Sequence, residues 1–129
     1  MKSDSIISHK EYINMILEVE SKTLKSDLTD DMIRILHGAI GTATESGELL
    51  DAIKKHLYYG KEFDKPNIVE EVGDIIWYCG LIMAVFGMTL EDAMFVNARK
   101  LRTRYPDKFT SEKALNRDLE KEREIFEND

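Results

Sequence analysis

Two pairs of carboxylates in this sequence have the spacing that metal chemistry needs. Glu45 and Glu48 stand three residues apart, as do Glu71 and Asp74, so on helices each pair shares one face and can offer its oxygens jointly to a cation. Hard oxygen donors of this kind select Mg²⁺ or Mn²⁺. For Glu45 and Glu48 the competing reading is a solvated surface. Acidic residues are frequent in this chain, and by helical wheel the two lie roughly opposite the apolar stripe Met32, Leu36, Ala39, Ala43, Leu50 and Leu57. Gly38, Gly41, Leu49 and Ala52 fall near the carboxylate side, however, and these are residues for close packing, whereas a solvated face carries long charged side chains.

Glu71 and Asp74 are more constrained. They run directly into the line of Tyr78, Leu81, Ile82 and Val85, and no Lys, Arg or His occurs between Lys65 and Arg99. Carboxylates buried there must protonate, find a distant partner or bind metal. A place in the first helical turn, favoured by the helix dipole, explains Glu70 and Glu71 well and Asp74 less well.

Other groups have two uses each. Asn97, Lys100 and Arg104 fall on or beside a stripe formed by Leu90, Ala93 and Leu101. The two basic side chains can snorkel from its edge and compensate a helix carboxyl end. Asn97 is harder to dismiss, because an amide on a packed stripe needs hydrogen-bond partners. Trp77 and Tyr78 can stack a nucleobase, although aromatic residues in an apolar helix more often serve as core. His37, two turns before Glu45, can reach a base or sugar or cover a surface, and Lys54 and Lys55 are solvent-side lysines within reach of a phosphate.

The elements that must position these residues are helical. Ser8 with Glu11 forms a capping box that opens a first amphipathic helix to about Lys25, built on Tyr12, Ile16 and Val19. Thr29 or Asp27 caps a long second helix to about Tyr59, ended by Gly60. Pro66 fits the first turn of a third helix that carries on to Phe86 and stops at Gly87. Thr89 with Asp92 opens a fourth, which Pro106 ends, and Ser111 caps a last, peripheral helix to about Phe126 with only Leu115, Leu119 and Phe126 in register. The expected class is all-α, a bundle of four main helices plus a peripheral C-terminal one. Residues 1–129 form one domain with its core at about 27–109.

Composition excludes several functions. With 18 basic against 25 acidic residues and a formal charge of -7, the chain lacks the basic stripe that non-specific nucleic-acid binding requires. The single cysteine, Cys79, lies in an apolar run and makes no internal disulfide, which suits a reducing cytoplasm. Met1 to Lys10 has no apolar core of signal-peptide length. The longest apolar stretch, Ile75 to Met88, is shorter than a bilayer needs, so no membrane partner is expected.

The ordered set Glu45-Ser-Gly-Glu48, then Glu70-Glu71-Val-Gly-Asp74, resembles the ExxE…ExxD signature of the MazG-like all-α nucleoside triphosphate pyrophosphohydrolases. Asn97, Lys100-Leu101 and Arg104-Tyr105-Pro106 are similar to that family's trailing segment, and the likeness covers roughly Ile35 to Phe109. The resemblance implies Mg²⁺-dependent cleavage of a nucleoside triphosphate between the α and β phosphates, giving monophosphate and pyrophosphate. Glu45, Glu48, Glu71 and Asp74 would be metal ligands, one of them also handling the attacking water, while Asn97, Lys100 and Arg104 would grip the phosphates. It also implies a homodimer or homotetramer, in keeping with a helix from Ile75 to Phe86 that is too apolar to bury in one thin bundle. The competing readings are a dUTP, dCTP or phosphoribosyl-ATP pyrophosphatase of the same architecture, and a non-catalytic helical oligomerisation module. A carboxylate di-iron bundle is discounted, because none of His9, His37 and His56 has a Glu three residues before it.

Overall fold

The computed structural model of the chain describes residues 7–128, and among them every regular element is a helix. Helix α1 spans His9–Val19, α2 Asp30–Tyr59, α3 Lys65–Val85, α4 Leu90–Arg104, α5 Ser111–Leu115 and α6 Leu119–Glu127. The fold is all-α, as expected.

Local chemistry sets most boundaries. The Ser8–Glu11 capping box forms, with the Ser8 amide donating to Glu11 Oε2 at 2.8 Å. Helix α1 nonetheless ends at Val19, short of the Lys25 expected. Glu20 turns to extended backbone, and the Ser21 hydroxyl donates to the Thr23 carbonyl instead of supporting another turn. Thr29 rather than Asp27 caps α2, accepting from the Met32 amide at 3.2 Å, and Gly60 closes it in the left-handed region at φ 69°. Asp64 caps α3 ahead of Pro66, and a Thr89–Asp92 capping box opens α4. The expected C-terminal helix is broken in two. Asn116 donates its side-chain amide to the Glu112 carbonyl and Asp118 accepts from the Lys121 amide, so one helix is capped and a second begins within three residues.

Helices α2 and α3 pack as an antiparallel hairpin with its closest approach at two glycines. A Cβ on Gly38 would meet Ile82 and the Tyr78 carbonyl oxygen, and one on Gly41 would enter the Tyr78 ring. Gly41→Ala is therefore expected to destabilise the fold by about 1–3 kcal/mol through overpacking, although alanine is the better helix former. Thermal melting checks this, and an unchanged or raised midpoint would show that Tyr78 has room to move.

The face of α2 turned to α3 is the one bearing Gly38, Gly41 and Glu45. The apolar stripe is turned outward: Met32, Leu36, Leu50 and Leu57 are all exposed, Leu50 by 67%. Val69, Val72 and Ile76 of α3 are exposed too. Among the described residues the buried positions are Gly38, Gly41, Glu71, Val96 and Glu122, so one apolar side chain and two carboxylates share the interior with two glycines. Between α3 and α4 the chain turns through 93°, carrying α4 away from the hairpin, and α6 returns to pack on α4. No single helix is long and apolar enough to cross a membrane.

Candidate metal centre

The antiparallel pairing places Glu45 of α2 opposite Glu71 and Asp74 of α3. One carboxylate oxygen from each lies within 4.8 Å of the others. Glu71 is the buried member, only 8% exposed, Glu45 is half-buried and Asp74 lies at the open side. The first-turn explanation for Glu71 thus gives way to a packed position. Glu48, one turn along α2, is exposed and stands outside this group, though its charge acts on Glu45.

The electrostatics of the group are those of uncompensated anions. Burial pushes the Glu45 carboxyl above its ordinary range, and the charges of Asp74, Glu71 and Glu48 and a hydrogen bond with Glu71 push it further. Among the described residues no lysine or arginine pairs with Glu45, Glu71 or Asp74. The nearest candidates on α2, Lys54 and Lys55, are held by Asp51 at 3.1 and 2.6 Å. Thr42, Thr44 and Ser46, which flank Glu45, direct their hydroxyls to backbone carbonyls of their own helix. Among the described residues a neutral donor comes from Asn67, whose Nδ2 donates to Glu71 Oε1 at 2.8 Å. Three oxygen donors gathered without a cation, one of them buried and fixed by an amide, fit a hard divalent ion.

An aromatic group continues the same face. Tyr78, one turn beyond Asp74, fills the notch left by Gly41, with its ring centroid 5.6 Å from that of His37 and 5.0 Å from that of Trp77. Tyr78 is half-buried between the helices, whereas Trp77 is 61% exposed.

The α4 candidates are placed elsewhere. With the 93° turn between α3 and α4, Lys100 lies roughly 20 Å from Asp74 by helical rise along the two arms. Asn97 is exposed, and Lys100 Nζ lies 5.8 Å from the ring centroid of Phe126. Arg104 donates from Nε and Nη2 to the two oxygens of Glu122, both at 2.6 Å, and Arg117 adds a bond to Glu122 Oε2 at 2.8 Å. These arginines hold the Glu122 carboxyl down to about 2, and Glu122 raises Arg104 in return.

Sequence reasoning missed two residues at these sites. Asn67 lies four positions before Glu71, a helical spacing visible in the sequence. Nothing in the charged tail marked Glu122 apart from its neighbours. In comparison with known proteins, residues 39–109 match the MazG nucleotide pyrophosphohydrolase domain, a segment that holds the carboxylates, Asn97, Lys100 and Arg104 and excludes α1, α5 and α6. No curated protein and no solved structure matches the chain.

Proposed function

Because the chain belongs to the MazG nucleotide pyrophosphohydrolase domain family, we propose that it hydrolyses a nucleoside triphosphate between the α and β phosphates, releasing the monophosphate and pyrophosphate. The observation that carries this reading is the convergence of Glu45, Glu71 and Asp74 with no lysine or arginine pairing them among the described residues. These residues would hold Mg²⁺, or Mn²⁺, with Glu48 joining from the next turn. Bound there, the cation would neutralise developing phosphate charge and acidify a water molecule. Asn67 keeps the Glu71 carboxylate oriented, and one carboxylate of the group takes the proton of the attacking water. The exposed indole of Trp77, with His37 and Tyr78 beside it, receives the base. Asn97, Lys100 and Arg104 grip the phosphate tail.

Those α4 residues stand on the far arm of the 93° turn from the carboxylates of their own chain, so the reading includes a second copy that brings its α4 across. Surface area supports self-association. The chain exposes 11059 Å², against roughly 7,000 Å² for a compact monomer of its mass. The outward stripes of α2 and α3 supply the apolar surface that a homodimer or homotetramer would cover.

A panel of ribo- and deoxyribonucleoside triphosphates, including dUTP, dCTP and phosphoribosyl-ATP, incubated with Mg²⁺ tests the reaction. Monophosphate and pyrophosphate are expected, and a chelator should stop their formation. Orthophosphate and diphosphate as products would refute the α–β assignment, and no turnover on any substrate would leave a helical association module.

A further inference from the structure

The C-terminal helix α6 lies beyond the family segment, yet it engages two of the three α4 side chains assigned to the phosphates. Phe126 stands under Lys100. Glu122, only 5% exposed, takes Arg104 in a two-pronged bond. We infer that Glu122 is a positioning residue that fixes the Arg104 guanidinium for the triphosphate, an inference that rests on the assignment of Arg104 to phosphate binding.

Arginine at the last turn of a helix has several soft torsions, and an anion that binds it must otherwise bear the cost of ordering them. A carboxylate held against one edge fixes both the plane and the direction of the fork. The bonds to Glu122 use Nε and Nη2 and leave Nη1 outside the fork, while the Tyr105 ring centroid lies 5.6 Å from the guanidinium carbon. Glu122 does not cancel the charge it holds. Arg117 shares Oε2, so one carboxylate faces two guanidiniums, and Lys113 and Lys121 line the same hollow between α4, α5 and α6 with one further carboxylate, Asp118. By formal charge the four cations Arg104, Arg117, Lys113 and Lys121 outnumber the two carboxylates Glu122 and Asp118, the sign a phosphate site requires. A sequestering tail would instead match each cation with its own carboxylate.

The test uses the whole 129-residue chain as wild type, Glu122→Gln, Glu122→Asp and Arg104→Gln, with inorganic tripolyphosphate as a probe that carries no base. Its affinity in Mg²⁺ is read from the added rise in melting temperature, beside the rise with Mg²⁺ alone and KM and kcat for the best triphosphate. Glu122→Gln is expected to weaken tripolyphosphate and raise KM roughly tenfold with kcat little changed, as lost uniform binding does. Glu122→Asp, which keeps the charge but shortens the reach, should fall between it and wild type, and the response to Mg²⁺ alone should be intact in all. A merely structural role for Glu122 would lower the midpoint and leave tripolyphosphate affinity and KM unmoved, which overturns the inference. So does tighter binding in Glu122→Gln, the signature of a sequestering tail. If Glu122→Gln does not fold, Glu122→Asp decides, and wild-type affinity in that variant overturns the proposal. Arg104→Gln separates the two levels: weakened binding there alone removes only the role of Glu122. Unweakened binding there removes Arg104 from the phosphate site, and the role of Glu122 with it. Wild-type turnover reports separately on the reaction.

Discussion

Asp74→Asn is expected to lower turnover by at least ~100-fold while leaving the metal-free protein as stable as wild type or more so, since a lost metal ligand or base weighs on chemistry and a lost like charge does not weigh on folding. Asp74 is the exposed member of the carboxylate group, and its charge is the largest of those raising Glu45. Asparagine nearly preserves the shape and removes that repulsion. The pH dependence follows with a definite sign. Glu45 titrates above its ordinary value of 4.5 in the fold, so a folded chain binds more protons than an unfolded one just above that pH. Its contribution to stability therefore falls as pH rises from about 4.5 through the folded value, and Mg²⁺ should restore it by binding the folded state preferentially. In Asp74→Asn that decline should be shallower and the Mg²⁺-dependent rise in melting temperature smaller. Melts of both proteins across this pH range, with and without Mg²⁺, beside a pyrophosphate assay, check the set. A drop in metal-free stability with an unchanged metal response would make Asp74 a structural residue, and unchanged activity would remove it from the site.

Ile76→Asp is expected to yield a monomer with activity reduced by roughly 100-fold or more at micromolar concentration, because burying an unpaired carboxylate costs several kcal/mol. Ile76 is 50% exposed on the outer face of α3, beside the exposed Val72. In an isolated chain an aspartate there meets water and should change stability little. In an assembly that covers the α2 and α3 stripes it must be desolvated, and with the copies apart the carboxylates of one chain lose the α4 cations of the other. Light scattering gives the mass, and turnover followed against protein concentration gives the dependence of activity on association. A wild-type chain that is monomeric at micromolar concentration would overturn the proposed assembly. A monomeric Ile76→Asp retaining full turnover would show that one chain carries a complete site.

The sequence by itself determined the helical class, most helix ends and the chemical character of the centre. Ser8 with Glu11, Thr29, Thr89 with Asp92, Pro66, Gly60 and Gly87 set helix ends within a few residues of each other, so composition and spacing suffice to read them. The three-residue spacing of Glu71 and Asp74, with no cation from Pro66 to Ala98, already described an anionic helix face. What only the tertiary structure decided is which faces meet. Periodicity ranks the faces of one helix by polarity, and on α2 that ranking points to the apolar stripe. The pair α2–α3 closes on Gly38 and Gly41 instead, because Tyr78 and Ile82 need the space that only a missing side chain leaves, and this turns Glu45 inward and the stripe outward. Glu48 falls one turn outside the group for the same reason. The choice of Glu122 among the acidic residues of the tail likewise depends on Arg104, a residue distant along the chain, whereas the break at Asn116–Asp118 is a local event of side-chain caps that the thin apolar register did not reveal. A helix's own sequence fixes what it can offer, and the partner that accepts the offer is a property of two surfaces, which no single periodicity contains.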